Sequence, residues 1–252
     1  MPNHVANEIE FHGEQENINK VLDLIQGKGE CIDFEKIVPM PVALQIESSS
    51  DNDLAIICYL SNKLSIPFSD IDKSYLKYVT NMFDNDWAST LYHERLPNRK
   101  EDFDKLYELG KVCCENIDNY NNKDWYGWRI ENWGTKWNAY NEYFDSAANV
   151  IGFSTAWSCP LPVLDKLAEI CYEHGVSFTG KWADEDRGCN VGIFESDCDG
   201  DEYWFSYEYM EDCSNEAYEI YVELNGESDC MGKDENGNWI CYDCDTCPNK
   251  CC

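Results

Sequence analysis

The chain has 252 residues, 43% of them hydrophobic and 14% aromatic, and 49 acidic against 19 basic side chains give it a formal net charge of -30. The aromatic content excludes a disordered chain, which could not bury enough apolar surface to order itself. The charge excludes a surface built to grip nucleic-acid phosphates or anionic membranes and favours basic partners. In chain order, VANEIEF at 5–11 reads as a strand. Ile18, Val21, Leu22 and Ile25 then fall on one face of a helix. Residues 31–41, CIDFEKIVPMP, read as a tight, proline-stopped crossover. The stretch from 48 to about 120 reads as mostly helical, with breaks at Pro67 and Pro97 and its best helix over Asp102–Asn116. The aromatic run WYGWRIENWGTKWNAY occupies 125–140. Val150–Trp157 reads as a strand, followed by a helix with Pro162 in its first turn and Gly175 at its end. Val176–Trp182, Val191–Glu195, Tyr203–Tyr209 and Ala217–Leu224 read as further strands.

The start, MPNHVANEIEF, has neither a basic nor an apolar leader region, which predicts no secretory signal. No apolar run approaches the roughly 20 residues of a membrane span. A cytoplasmic location, in a host cell's cytosol, is therefore expected. The fifteen cysteines are expected to be mostly reduced, buried, apolar side chains.

A strand-helix unit occurs at 5–26 and again at 150–174, with more strands after the second copy. This predicts an α+β fold, a ferredoxin-like antiparallel sheet with helices on one face. The expected organisation is a core over 1–195 with a helical insertion at about 48–120. Acidic, aromatic-rich hairpins over 196–240 extend the sheet, and a cysteine-rich tail spans 241–252. The segments MPNHVANEIEFHG, FEKIVPMP, NWGTKWNAY and FSTAWSCPLPVLDKLAEI resemble the YubB-type ferredoxin-like family, the Api-like proteins of plasmids, phages and genomic islands. The resemblance covers roughly 1–195. Cys159 stands where that family usually has proline. The resemblance implies a mobile-element protein, an accessory factor in the manner of inhibitors of host defence, and it supplies no catalytic residues.

Four groups of residues carry candidate chemistry. From Asp184 to Glu235 there are eighteen Asp or Glu against Arg187 and Lys233, interleaved with aromatics. In a strand, alternate residues face opposite sides, so one face can pack rings while the other projects carboxylates that imitate phosphates. The expected partner-binding residues are Asp197, Asp199, Asp201, Glu202, Tyr203, Tyr207, Glu208, Glu211 and Asp212. The competing reading is a solvated sheet face that serves solubility. Asp197, Asp199, Asp201 and Glu208 also sit at calcium-loop positions, but Glu202 replaces the turn glycine, leaving at most loose divalent-cation binding.

Trp128, Trp133, Lys136 and Trp137 have the composition of a ligand pocket that stacks a base, against the plainer reading of structural aromatics. Cys241, Cys244, Cys247 and Cys251, with Cys230 upstream and Cys252 beyond, have metal-ligand spacing that suits zinc. A reduced or adventitiously paired tail and an iron–sulfur site are the alternatives. The four histidines lack a nucleophile-base context, so no enzyme is expected. No cofactor is certain beyond that zinc.

The leading expectation is a phage or mobile-element accessory protein. It binds and inhibits a host nucleic-acid-handling or defence complex, such as a CRISPR nuclease, through an acidic, nucleic-acid-mimicking surface. The partner is a basic host protein or nucleoprotein, with no direct contact to nucleic acid or membrane, and a dimer is allowed. The alternatives are a zinc-binding regulatory module and a small-ligand- or nucleotide-binding ferredoxin-like domain.

Overall fold

Val5, Asn7, Ile9 and Phe11 are buried while their neighbours are exposed or half-buried, the period-two pattern of a strand with one face in the core. The computed structural model describes residues 3–64, 94–198 and 202–242. Its contacts divide the chain into two units, Met1–Pro39 with Glu131–Cys252, and Met40–Ile130.

In the first unit, β1 (His4–His12) pairs antiparallel with β3 (Val150–Ala156) on one side and β4 (Ser177–Asp184) on the other. With β2 (Tyr140–Asp145), β5 (Val191–Asp197) and β6 (Trp204–Tyr209), the sheet runs β2-β3-β1-β4-β5-β6. Helix α1 (Gln15–Ile25) follows β1, and α6 (Leu161–Glu173) connects β3 to β4. These two helices and the first four strands make the split βαβ arrangement of a ferredoxin-like fold, with β5 and β6 added at one edge.

Directly paired residues project to the same side of an antiparallel ladder. By that register Val5, Ile9, Phe11, Phe178, Trp182 and Phe194 share one face, and all are buried. They form a core with the stripes Ile18, Val21 and Ile25 of α1 and Val163, Leu164, Leu167, Ala168 and Cys171 of α6. Gly180 and Gly192 leave room for this packing. A Cβ at either would stand 2.2 Å from the ring of Phe194 or Trp182. Gly175, at φ +65, ends α6 as expected, with Val176 N–H donating to the Cys171 carbonyl at 2.9 Å.

Three features differ from the sequence-based expectation. Ala217–Leu224 is helical, as part of α7 (Asn215–Asn225). Ser214 caps it by accepting from Ala217 N at 3.1 Å. Ala217, Tyr218 and Tyr221 pack against Ala183, Val191 and Met231, so this helix covers one end of the sheet's second face. β2 was not anticipated. And 196–240 is no continuous run of sheet-extending hairpins. Only β6 extends the main sheet, while β7 (Met231–Lys233) and β8 (Trp239–Cys241) form a separate two-stranded ladder.

The second unit is helical among its described residues: α3 (Ser50–Leu64), α4 (Phe103–Tyr120) and the start of α5 (Trp125–Trp133), inside which the division falls. The short α2 (Phe34–Ile37) precedes it in the first unit. Leu54–Cys58 and Leu60 of α3 are buried with Leu106, Cys113 and Cys114 of α4. Asn116 donates to the carbonyls of Ala43 and Lys123 at 2.9 and 3.1 Å, and Arg99 holds Asp51 through two hydrogen bonds. Pro67 lies outside the described residues. No helix among those described is long and apolar enough to cross a membrane.

Candidate partner-binding face

Among the described residues, α7 packs on the second face of the sheet at the Ala183–Val191 end. Elsewhere the register sets polar and acidic residues in rows across the strands. One row is Glu10, Thr179, Glu195 and Ser206; the next is Glu8, Lys181, Ile193 and Glu208. Neighbouring strands lie about 4.8 Å apart, and same-face residues along a strand about 6.8 Å apart. Glu10 and Glu195 therefore stand two strands, about 10 Å, apart, and Glu195 and Glu208 are diagonal neighbours about 8 Å apart. Thr179, Ile193, Glu195, Ser206, Tyr207 and Glu208 contribute to a shallow depression of 470 Å³.

Lys181 is the one lysine or arginine projecting from the strands of this face among the described residues. It is already committed to Glu8 at 3.4 Å and Glu223 at 2.7 Å. Glu8 also accepts from the Tyr143 hydroxyl at 2.9 Å, and that phenol is pushed up to about 12 by burial and by its bond to the carboxylate. Glu10, Glu195 and Glu208 remain exposed, as does Asp197 at the end of β5. Glu10 has His12 Nδ1 at 3.9 Å. A basic groove laid on this face would meet the exposed carboxylates of Glu195 and Glu208.

Of the family-like segments, MPNHVANEIEFHG carries β1, and FSTAWSCPLPVLDKLAEI carries the end of β3 and most of α6. Residues 132–232 match the family model for the ferredoxin-like domain in Api92-like protein. The matched stretch holds β2 through β6, α6 and α7, so it includes β5, β6 and most of the acidic rows. A solved structure, the crystal structure of a protein api92 from Yersinia pseudotuberculosis, is similar at 9% identity and a TM-score of 0.37, covering 84% of this chain and 99% of that one. No curated protein matches the chain.

The residues singled out from sequence fall in different places. On β6 the alternation sets three rings on one side and Glu208, with Trp204, on the other. Phe205, Tyr207 and Tyr209 share the side of Phe194 and Trp182, and join them in ring contacts 5.1 to 6.5 Å apart. Trp204, Ser206 and Glu208 share the acidic face. Tyr207 thus sits on the side opposite Glu208, though it stays half exposed at the sheet edge. Glu202, Tyr203, Glu211 and Asp212 are exposed beside β6. Asp199 and Asp201 lie outside the described residues. Asp197 pairs with Trp204, whereas Glu208 pairs with Ile193. Four residues of strand, about 13 Å, therefore separate the two acids, and they cannot share a single cation.

The four candidate pocket residues are also separated. Trp128 is buried in the helical unit, and Trp133 is buried in the sheet unit. The Trp133 indole donates to the Val38 carbonyl at 2.9 Å, and its ring stands edge-on to Phe34. Lys136 and Trp137 are at the surface, where the Lys136 ammonium lies between the rings of Trp137 and Trp157.

Cys241 ends β8 as a half-buried free thiol, while Cys244, Cys247 and Cys251 lie outside the described residues. Cys230 is buried and disulfide-bonded. It therefore departs from the expected reduced state and has no thiolate to offer a metal. No group of three His, Cys, Asp or Glu among the described residues is placed to hold a metal ion.

Proposed function

We propose that the protein is a binding module for a basic, nucleic-acid-handling partner, and that it acts as an inhibitor by presenting carboxylates where that partner expects phosphates. The observation that carries this reading is the open sheet face. Glu10 and Glu195 lie in one row across the sheet, Glu208 lies in the next row on β6, Asp197 follows Glu195 on the same side of β5, and Lys181 is engaged by Glu8 and Glu223. Exposed Tyr203, Trp204 and Tyr207 at the same edge supply the aromatic anchors that interfaces favour. In this reading the chain is a mobile-element accessory factor directed at a host complex. The acidic face steers encounter, and the aromatics set the lifetime of the complex.

The test compares the tagged protein with a variant carrying Glu10→Gln, Glu195→Gln, Asp197→Asn and Glu208→Gln in capture from bacterial lysate. The expected result is a stoichiometric nucleic-acid-handling protein on the wild type, released by rising salt or by competing duplex DNA, and absent from the variant. Equal capture by both proteins, or no specific capture at low salt, overturns the proposal.

A further inference from the structure

At the corner leaving β3, Trp157 has φ +71. A bulky side chain in the left-handed region costs on the order of 1–3 kcal/mol and persists only where its surroundings force it. Here they do. Trp157 N–H donates to the Asn3 carbonyl at 2.9 Å, and the Asn190 amide donates to the Trp157 carbonyl at 3.1 Å. Asn3 and Asn190 each donate to the buried Asp184 carboxylate at 3.1 Å, and Asp186 N–H does so at 2.9 Å. The neighbouring turn is tied down as well. The Thr135 hydroxyl donates to the Ala156 carbonyl at 2.9 Å and accepts from Ala156 N–H at 3.1 Å, and the Ser158 hydroxyl donates to the Gly134 carbonyl.

All this order holds two indoles at the surface rather than in the core. Trp157 is 43% exposed and Trp137 37%. The Lys136 ammonium lies 4.3 Å from one ring centre and 4.4 Å from the other. Tyr140 stands edge-on to Trp137, its hydroxyl 2.6 Å from His4 Nδ1. Glu185 is near enough to add to the raised pKa of that phenol, whose main cause is burial.

We infer that Trp137 and Trp157 form a clamp for a weakly hydrated organic cation, a guanidinium or a methylated ammonium, and that Lys136 occupies it as an internal competitor. Indole faces are the best aromatic surfaces for cations. A lysine ammonium is a modest occupant, because it is strongly hydrated and loses rotamer freedom when held. A guanidinium is less hydrated and stacks on aromatic faces. Glu185, near enough to act on Tyr140, and the charge of the whole chain favour a cation over an anionic nucleotide.

The test follows the indole N–H signals of Trp137 and Trp157 by NMR in the full chain. The probes are arginine amide, tetramethylammonium, the neutral isostere 3,3-dimethylbutanol, and AMP. Both cations are expected to shift the two indoles. Lys136→Ala should tighten that binding about tenfold, the equivalent of one good cation–π contact. Trp157→Gly, which suits the left-handed backbone, and Trp137→Leu should each abolish it while the remaining spectrum stays folded. The inference is overturned if neither cation shifts the indoles of Lys136→Ala by about 10 mM. Equal shifts from the neutral isostere, or a preference for AMP, overturn it as well. The relative response to arginine amide and tetramethylammonium then tells which class of cation the clamp prefers.

Discussion

Trp133 and Trp182 are both fully buried in the sheet unit, yet they differ in one atom's surroundings. The Trp133 indole nitrogen donates to the Val38 carbonyl, whereas Trp182 Nε1 has no hydrogen-bond partner among the described residues. Changing each to Phe removes similar volume but only one hydrogen bond. Trp133→Phe is therefore expected to destabilise by about 1 kcal/mol more than Trp182→Phe, measured by urea unfolding of the two variants side by side. Asp184 gives a second contrast at this scale. It accepts from two side-chain amides and one backbone N–H, so Asp184→Asn turns an acceptor into a donor facing other donors. A loss of about 2 kcal/mol is expected, together with disorder at Trp157 visible in its indole signal. Little of this was legible in the chain. The segments NWGTKW and FSTAWS drew attention to Trp133, Lys136 and Trp137, but not to the strained backbone of Trp157. A positive φ at tryptophan has no sequence signature, and Asp184 and Asn190 meet Asn3 only through the fold.

Secondary structure was most legible where periodicity was strong and long. The faces of α1 and α6 and the existence of α4 show in their spacing, and so do strands β1, β3, β4, β5 and β6. Ala217–Leu224 was not, because short apolar-rich runs fit both periods and Ser214 as a cap decides for the helix. β2 was hidden inside an aromatic run whose first half is helical.

In the α3–α4 pair, Gly110 is a further test. Helix propensity says that alanine there should stabilise by about 1 kcal/mol. However, its Cβ would stand 1.9 Å from the Ala55 carbonyl oxygen. Gly110→Ala is accordingly expected to destabilise by about 2 kcal/mol or more, since the helices must part to admit the methyl. The same pair buries two thiols. Burial pushes Cys58 up to about 11 and Cys113 up to about 12, above the ordinary thiol value of about 8.5. Their raised values stabilise the folded state fully below that ordinary value. The contribution is lost as pH climbs toward 11–12, because the unfolded chain ionises first. Thermal melts followed by helical circular dichroism should hold level up to about pH 8 and fall between about pH 9 and 11. Cys58→Ala should flatten that fall.

The whole-molecule charge was evident from composition, but its arrangement was not. Net charge says nothing about which carboxylates share a face; that came from the register of β1, β4, β5 and β6. Their crowding has a consequence independent of any partner. Glu195 and Asp197, two positions apart on β5, stand about 7 Å apart; two carboxylates at that distance in water repel by roughly 0.6 kcal/mol, and salt of about 0.15 M screens much of this. Neutralising Glu10, Glu195, Asp197 and Glu208 should therefore raise the melting temperature by a few degrees at low salt and by little in about 0.5 M salt. The proposed docking role requires that these charges be kept on the open face at some expense to stability. If the same substitutions instead lower the melting temperature, these carboxylates are held by internal partners. They are then structural, and the acidic face loses its standing as a docking surface even before a partner is sought.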